Sequence, residues 1–329
     1  MAFRSVVVAN PARLRSRGEQ LIIEREDVVS VPQEDISALI IQSSEVVISS
    51  AALANLANAA VPTIICDRSH MPAGVMLPIS PHSRQLSMVK LQVNATVPLQ
   101  KRIWQLIVKR KIQNQAATLA WSGHNDVSTL IEYANSTLSG DSTNREAAAA
   151  RWYFARLDGG FRRRDELLLN AALDFGYSIV RSCLARSVVS HGFVPALGIH
   201  HCNEYNQFNL ADDLLEPFRP IVDAFILQLI TPSHEFLDEI KSAIPGVIHQ
   251  RCAVDGRIVS VDTAVAATAA SLVTALREKD YRRIKLPGAL TPGVVGTTRE
   301  GENAPHETHG DVRSANQDQG RKARLYAVS

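Results

Sequence analysis

The chain has 329 residues, 46% of them hydrophobic and 21% charged, with a formal net charge of +2. This is the composition of a soluble globular protein long enough for two domains, and its near-balance of charge means that any nucleic-acid binding must use cations gathered on one surface. Apolar runs such as "AFILQLI" fall short of the ~20 residues of a membrane span, which excludes a membrane protein and points to the cytoplasm.

The amino terminus, "MAFRSVVVANPARLRSRG", has only four consecutive apolar residues before Asn10 and Pro11, too few for a signal peptide. Residues 1–77 predict a β-rich domain. "SVVVA", "QLIIE", "SALII", "EVVIS" and "PTIICD" are short β-branched runs divided by Asn, Pro, Gly, Asp and Ser. Within them only "SAALANLANAA", from Ser50 to Ala60, has helical spacing. The proline-rich stretch "HMPAGVMLPISPHSRQ" then predicts a linker over residues 78–88.

Residues 89–286 predict a larger all-α domain, carried by long segments such as "PLQKRIWQLIVKRKIQNQAATLAW", "REAAAARWYFARL" and "VAATAASLVTALREKDYRRI". Ser, Asp and Thr precede several of these segments, and Gly123 and Gly192 follow two of them. Residues 287–329 are rich in Gly, Pro, Thr, Asn and charge, and predict a disordered tail. The expected fold class is therefore α+β, a small β-rich domain joined by a linker to a larger helical one. Cys66, Cys183, Cys202 and Cys252 stand far apart with no C-x-x-C pair, as reduced thiols do.

Three positions in the helical part draw attention: Glu146 in "STNREAAAAR", His201 in "LGIHHC" and Glu216 in "ADDLLEPFRP". Each has an ordinary structural reading. Thr143 and Glu146 have capping-box spacing, Asp213 and Glu216 stand three apart before Pro217, and a loop histidine often bonds a carbonyl. The alternative is that His201 and two carboxylates hold a hard divalent cation, Mg²⁺ or Mn²⁺. His200 and His201 point apart, so only one can be a ligand while the other serves as a neighbour. Spacing alone does not choose between these readings. Zinc is disfavoured because no second Cys or His cluster has finger spacing, and no G-x-S-x-G elbow supports a serine hydrolase.

Cations gather in three further places, one of them "LREKDYRRIK", which ends a helix with cations that the helix dipole favours. Lys101, Gln105 and Lys109 share one helix face with Lys111 close by, and Arg162, Arg163 and Arg164 crowd a turn. Singly these are solvated faces; together, beside a candidate metal site, they favour DNA-backbone binding.

"GFVPALGIHHCNEYNQFNLADDLLEPFRPIVD" resembles the signature of the CRISPR-associated endonuclease one family, the spacer-acquisition integrases, in its type II-like branch. "KIQNQA", "NREAAAARWYF" and "LDFGYSIVRSCLARSVVSHG" fit the same resemblance, which runs to about residue 285. The resemblance implies that Glu146, His201 and Glu216 hold the catalytic metal; the local pattern reads His200 as a neighbour of the site and Asp213 as the start of the helix that presents Glu216. It implies an integrase that inserts short foreign DNA into a CRISPR repeat by 3′-hydroxyl attack on a phosphodiester. The expected partners are double-stranded DNA (prespacer and repeat), a second copy in a homodimer formed through the β-rich domain, the small CRISPR-associated protein two, and other type II CRISPR proteins. A non-catalytic DNA-binding scaffold and a branched-DNA repair nuclease are the competing expectations on the same fold. Cys202 stands where the family often has a basic residue, and Asp174 where it often has Asn.

Overall fold

The computed structural model describes residues 4–68, 72–77, 84–157, 163–230 and 243–290. Most of the predicted linker and tail, and Arg162, lie outside these residues.

The first part is built from two four-stranded sheets. In one, β1 (Arg4–Val8), β5 (Ile36–Ile41) and β7 (Thr63–Cys66) run parallel, and β8 (Pro72–Met76) closes the edge antiparallel. In the other, β4 (Val28–Pro32), β3 (Gln20–Glu24) and β2 (Arg13–Arg17) form an antiparallel meander, and the short β6 (Val47–Ile48) pairs parallel with β2. Helix α1 (Ser50–Asn58) starts at Ser49, whose hydroxyl accepts from Ala52 N.

Strand β5 explains why the sheets sit where they do. Its six residues "ISALII" are all buried, as a strand covered on both faces must be. Leu39 and Ile41 pack with Leu14, Leu21 and Leu56 in the core between the sheets. Ala38 and Ile40, on the alternate face, join Ile64 and Cys66 in the core of the helical part. The β-rich region is thus packed against the helices directly.

Helices α2 (Gln85–Val93), α3 (Val97–Trp121), α4 (Ser128–Ser136), α5 (Arg145–Leu157), α6 (Arg163–Ser190), α7 (Asn209–Leu215), α8 (Arg219–Leu229) and α9 (Val261–Glu278) make the larger part. Helix α3 is its axis. Ile103, Ile107, Val108, Ile112 and Leu119 form its buried stripe, with α4, α5 and α8 packed around it. Among the described residues no helix is long and apolar enough to cross a membrane.

Several local expectations need correction. Strands β2, β4 and β8 add to the five expected, and α2 begins at Gln85, inside the expected linker. The region expected to be all-α contains an antiparallel hairpin, β9 (Arg251–Val254) and β10 (Arg257–Ser260). Its turn, Asp255-Gly256, has both residues at positive φ, the conformation a tight hairpin turn requires. The expected tail begins at 287, yet residues 287–289 are held: Gly288 pairs with Ala253, and Asn114 bonds Pro287 O and Ala289 N.

Candidate active site

The site forms where α3, α5 and the α7–α8 junction meet. Pro217 and Pro220 flank the break between α7 and α8, because neither ring nitrogen can donate a helical hydrogen bond. Carbonyls near the break find partners on α3: Asn114 Nδ2 donates to Pro217 O at 2.6 Å and Thr118 Oγ1 to Pro220 O at 2.8 Å. The break is thereby held against the middle of α3, with Glu216 buried at its start.

Glu146 reaches the same place from α5. Asp141 fixes the first turn of that helix, its two carboxylate oxygens accepting from Arg145 N at 2.8 Å and Glu146 N at 3.0 Å. The cap is therefore Asp141, and the Glu146 side chain is free for another role. Lys111 Nζ donates to Glu146 Oε1 at 2.7 Å and also to Glu216 Oε2. Arg219 Nε holds the other oxygen of Glu216, Oε1, at 2.9 Å. Two carboxylates distant in sequence thus converge on a single ammonium. Burial would raise the Glu216 carboxyl, but Lys111 and Arg219 outweigh it and hold it below its usual range. Burial would likewise lower the Lys111 ammonium, but Glu216 and Glu146 outweigh it and hold it above the ordinary lysine value.

The histidine pair is set by Asp213. This aspartate lies inside α7, fully buried, and does not cap its own helix as expected. Its carboxylate accepts from the backbone N–H of Ile199, His200 and His201, the last two at 3.0 Å, and meets His201 Nδ1 at 2.7 Å. The hydrogen bond to Asp213 raises the His201 pKa against partial burial, and the charges of Glu216 and Asp212 add to the rise. With Nδ1 engaged, Nε2 is the ring nitrogen left for other partners. His200 instead stacks on Trp104, ring centroids 4.2 Å apart and planes within 8°. Only glycine fits at 198, since a Cβ there would stand 2.3 Å from His201 O and 2.8 Å from Asp213 Oδ2.

The three expected ligands are gathered unevenly. Glu146 and Glu216 meet through Lys111, and His201 is close enough to feel the Glu216 charge. Among the described residues no three His, Cys, Asp or Glu side chains form a ready-made ion cage. The donor set nevertheless suits a hard divalent ion: two carboxylates directed at one cationic atom and one imidazole with a nitrogen to spare.

Of the expected DNA contacts, Lys101 is exposed and Lys109 half-buried. Lys111, expected near the open basic face of α3, is instead buried between the carboxylates. Arg163 and Arg164 open helix α6, and Arg162 lies outside the described residues. Sequence reasoning missed the central role of Lys111, the Arg219 clamp and a fully buried carboxyl, Asp223, which accepts from Tyr153 OH at 2.8 Å and from Tyr177 OH. Lys111, Asn114, Gln115 and Thr118 fall at core spacing on α3, and polar residues in such a row are the signal of a buried network.

Residues 6–235 match the family model "CRISPR associated protein Cas1". The CRISPR-associated endonuclease Cas1 of Neisseria meningitidis serogroup C is 36% identical over 297 residues, covering 88% of this chain and 97% of that protein. Among solved structures, a casposase bound to integration product superposes with TM-score 0.69 at 18% identity, over 85% of this chain and 91% of that one. A Cas6-RT-Cas1–Cas2 complex chain gives TM-score 0.65 at 18% identity, over 84% of this chain and 35% of that one.

Proposed function

This chain belongs to the CRISPR-associated Cas1 family, and from that membership we propose that it is a divalent-metal-dependent DNA integrase and endonuclease in which Glu146, His201 and Glu216 hold Mg²⁺ or Mn²⁺. The 3′-hydroxyl of a short captured duplex attacks a phosphodiester at the edge of a CRISPR repeat. One P–O bond forms as another breaks, so the number of phosphodiesters is unchanged and no external energy source is needed.

The observation that carries this reading is the convergence of Glu146 and Glu216 on one buried ammonium. Two like charges brought together, with Glu216 buried, are costly without a cation between them, so a fold that gathers them is built around positive charge. Held by Glu146, His201 and Glu216, a divalent ion would supply Lewis-acid polarisation of the scissile phosphate and charge stabilisation for the leaving oxygen. The chain does the positioning. Asp213 orients His201 through Nδ1, Arg219 fixes the plane of the Glu216 carboxylate, and Asp141 fixes the turn that presents Glu146. Lys111 holds both carboxylates together in the absence of the ion.

Two strand transfers at separated positions require two copies of the site, which favours a homodimer. The shared fold with a chain of a Cas1–Cas2 complex supports the small Cas2 protein as the bridging partner. Other type II CRISPR proteins complete the proposed assembly, which acts in the cytoplasm. The scaffold reading makes Glu146 and Glu216 helix caps, whereas Asp141 caps α5 and both glutamates bind Lys111.

The test mixes the purified chain, its small partner, Mn²⁺ or Mg²⁺, a short duplex and a repeat-bearing plasmid. Joined product is expected with the wild type and lost in Glu146→Ala, His201→Ala and Glu216→Ala proteins that remain folded. Full activity in all three variants would overturn the metal assignment. Cleavage of branched junctions without joining would favour the repair-nuclease reading.

A further inference from the structure

A cavity opens on another face of α3, next to the carboxylate pair in sequence. Lys109, Arg110 and Gln113 form one wall of this cavity of about 400 Å³ whose other walls are the Asp255-Gly256 turn and the segment around Lys285 and Leu286. Leu106 and Leu286 make part of it apolar. Asp255 is the one acidic group among its lining residues, and it is paired with Lys285 at 2.7 Å. Lys109 and Arg110 are therefore left as positive charge that the cavity does not neutralise.

Arg110 is the unusual member. Arg181, Arg186 and Arg219, also partly buried, each pair with a carboxylate: Asp212, Asp262 and Glu216. Arg110 has no acidic partner among the described residues. Burial lowers its pKa, and among the described residues no acid acts in the other direction. Backbone closes in on it, for a Cβ on Gly288 would lie 3.3 Å from its Nη1. Holding a cation partly out of water with no counter-charge costs stability, and folds retain such groups chiefly where a ligand supplies the missing anion.

We propose that this cavity takes a phosphodiester of the DNA strand on which the chain acts, with Arg110 and Lys109 as its cations. The proposal rests on the DNA-processing reading above. Its place supports a backbone contact near the reacting phosphate. Arg110 adjoins Lys111 in sequence, so the cavity and the carboxylate pair occupy neighbouring faces of one helix. A helix is about 10–12 Å across with its side chains, and a strand of duplex DNA advances about 3.4 Å per nucleotide. The two faces are adjacent, so their separation is less than that diameter, and the cavity grips the backbone within about three nucleotides of the reacting phosphate, setting register without reading sequence.

The experiment measures binding of a labelled duplex by fluorescence anisotropy in EDTA across a salt series, so that it is independent of metal and of joining. Arg110→Gln and Lys109→Gln should each weaken binding about tenfold and flatten the slope of log K against log salt by about 0.9, the value for one lost phosphate contact. Arg110→Lys should restore the slope. Because Arg110 has no acidic partner among the described residues, Arg110→Gln should keep or raise Tm, an outcome a structural arginine would not give. Neutral methylphosphonates placed singly along the strand should expose one sensitive linkage in the wild type that Arg110→Gln no longer senses. Unchanged slopes in both variants, or no sensitive linkage in the wild type, would overturn the proposal. If the slopes stay unchanged while joining proceeds, the cavity alone is refuted. If the slopes flatten while the wild type never joins DNA, the integrase reading fails and the cavity stands.

Discussion

Replacing Lys111 with Met keeps most of the side-chain volume and removes the ammonium that Glu146 and Glu216 share. Removing one partner of a buried ion pair costs about 3–5 kcal/mol when the remaining charge has nowhere to go. Here the loss sits at the lower end. Glu216 keeps Arg219 at 2.9 Å, and the Glu146 side chain is 28% exposed and can turn to water. About 3 kcal/mol is expected, which for a region of this size lowers Tm by roughly 6–12 °C. All three tryptophans, Trp104, Trp121 and Trp152, lie in the helical part, so urea unfolding followed by their fluorescence reads this region alone. Adding Glu216→Gln should recover part of the loss, with a coupling of about 1–3 kcal/mol in the double-mutant cycle. The pH dependence has a definite sign. The folded-state carboxyl of Glu216 lies below its ordinary value of 4.5. Its ion pair therefore contributes stability above that value and loses it as pH falls through the depressed one. The gap between wild type and Lys111→Met should be full at neutral pH and close in acid. Saturating Mn²⁺ should raise the Tm of the variant more than that of the wild type, because an ion replaces the missing cation. A variant as stable as the wild type, with a gap that does not change with pH, would refute the reasoning.

Asp213→Asn should weaken Mn²⁺ binding about 10–100-fold by calorimetry while leaving both glutamates in place, because it loosens the ring of His201. Gly198→Ala should do comparable damage by a steric route, since its Cβ would collide with His201 O and displace the loop from Asp213; reduced metal affinity with little change in helix content is the expected result. Burial pushes the Asp223 carboxyl up to about 6, so the folded state holds its proton where an exposed aspartate has lost it. Wild-type stability should then fall relative to Asp223→Asn by about 3 kcal/mol as pH rises from about 4 through 6, measured by urea unfolding.

Much of this fold is legible along the chain. The Ala- and Leu-rich run at Ser50, the amphipathic stripe of α3 and the β-branched runs at Val6, Ile22, Leu39 and Ile64 each carry their period locally. The strands that sequence reasoning missed carry weaker signals. "RLRSR" puts only Leu14 fully inside, and β8 begins at a proline, tolerated because it lies on a sheet edge. The β9–β10 hairpin is short enough to read as a connection between helices.

At the site, the residue types determine the chemistry available: two glutamates and a histidine can serve a hard cation, and the motifs that contain them are specific to one family. What the sequence by itself could not determine is which of the competing local roles each residue takes. Glu146 has capping-box spacing, yet Asp141 caps the helix; Asp213 looks like a helix start, yet it clamps the loop of His201. Lys111 looks like one more cation on a basic face, yet it is the point on which both glutamates converge. Each of those outcomes is a contact between segments far apart in the chain, decided by how α5 and the α7–α8 break dock on α3. Local propensity and charge act over a few residues. Whether a carboxylate caps a helix, binds an ammonium or waits for an ion depends on which partner the packed core brings within hydrogen-bond distance, and only the tertiary structure sets that.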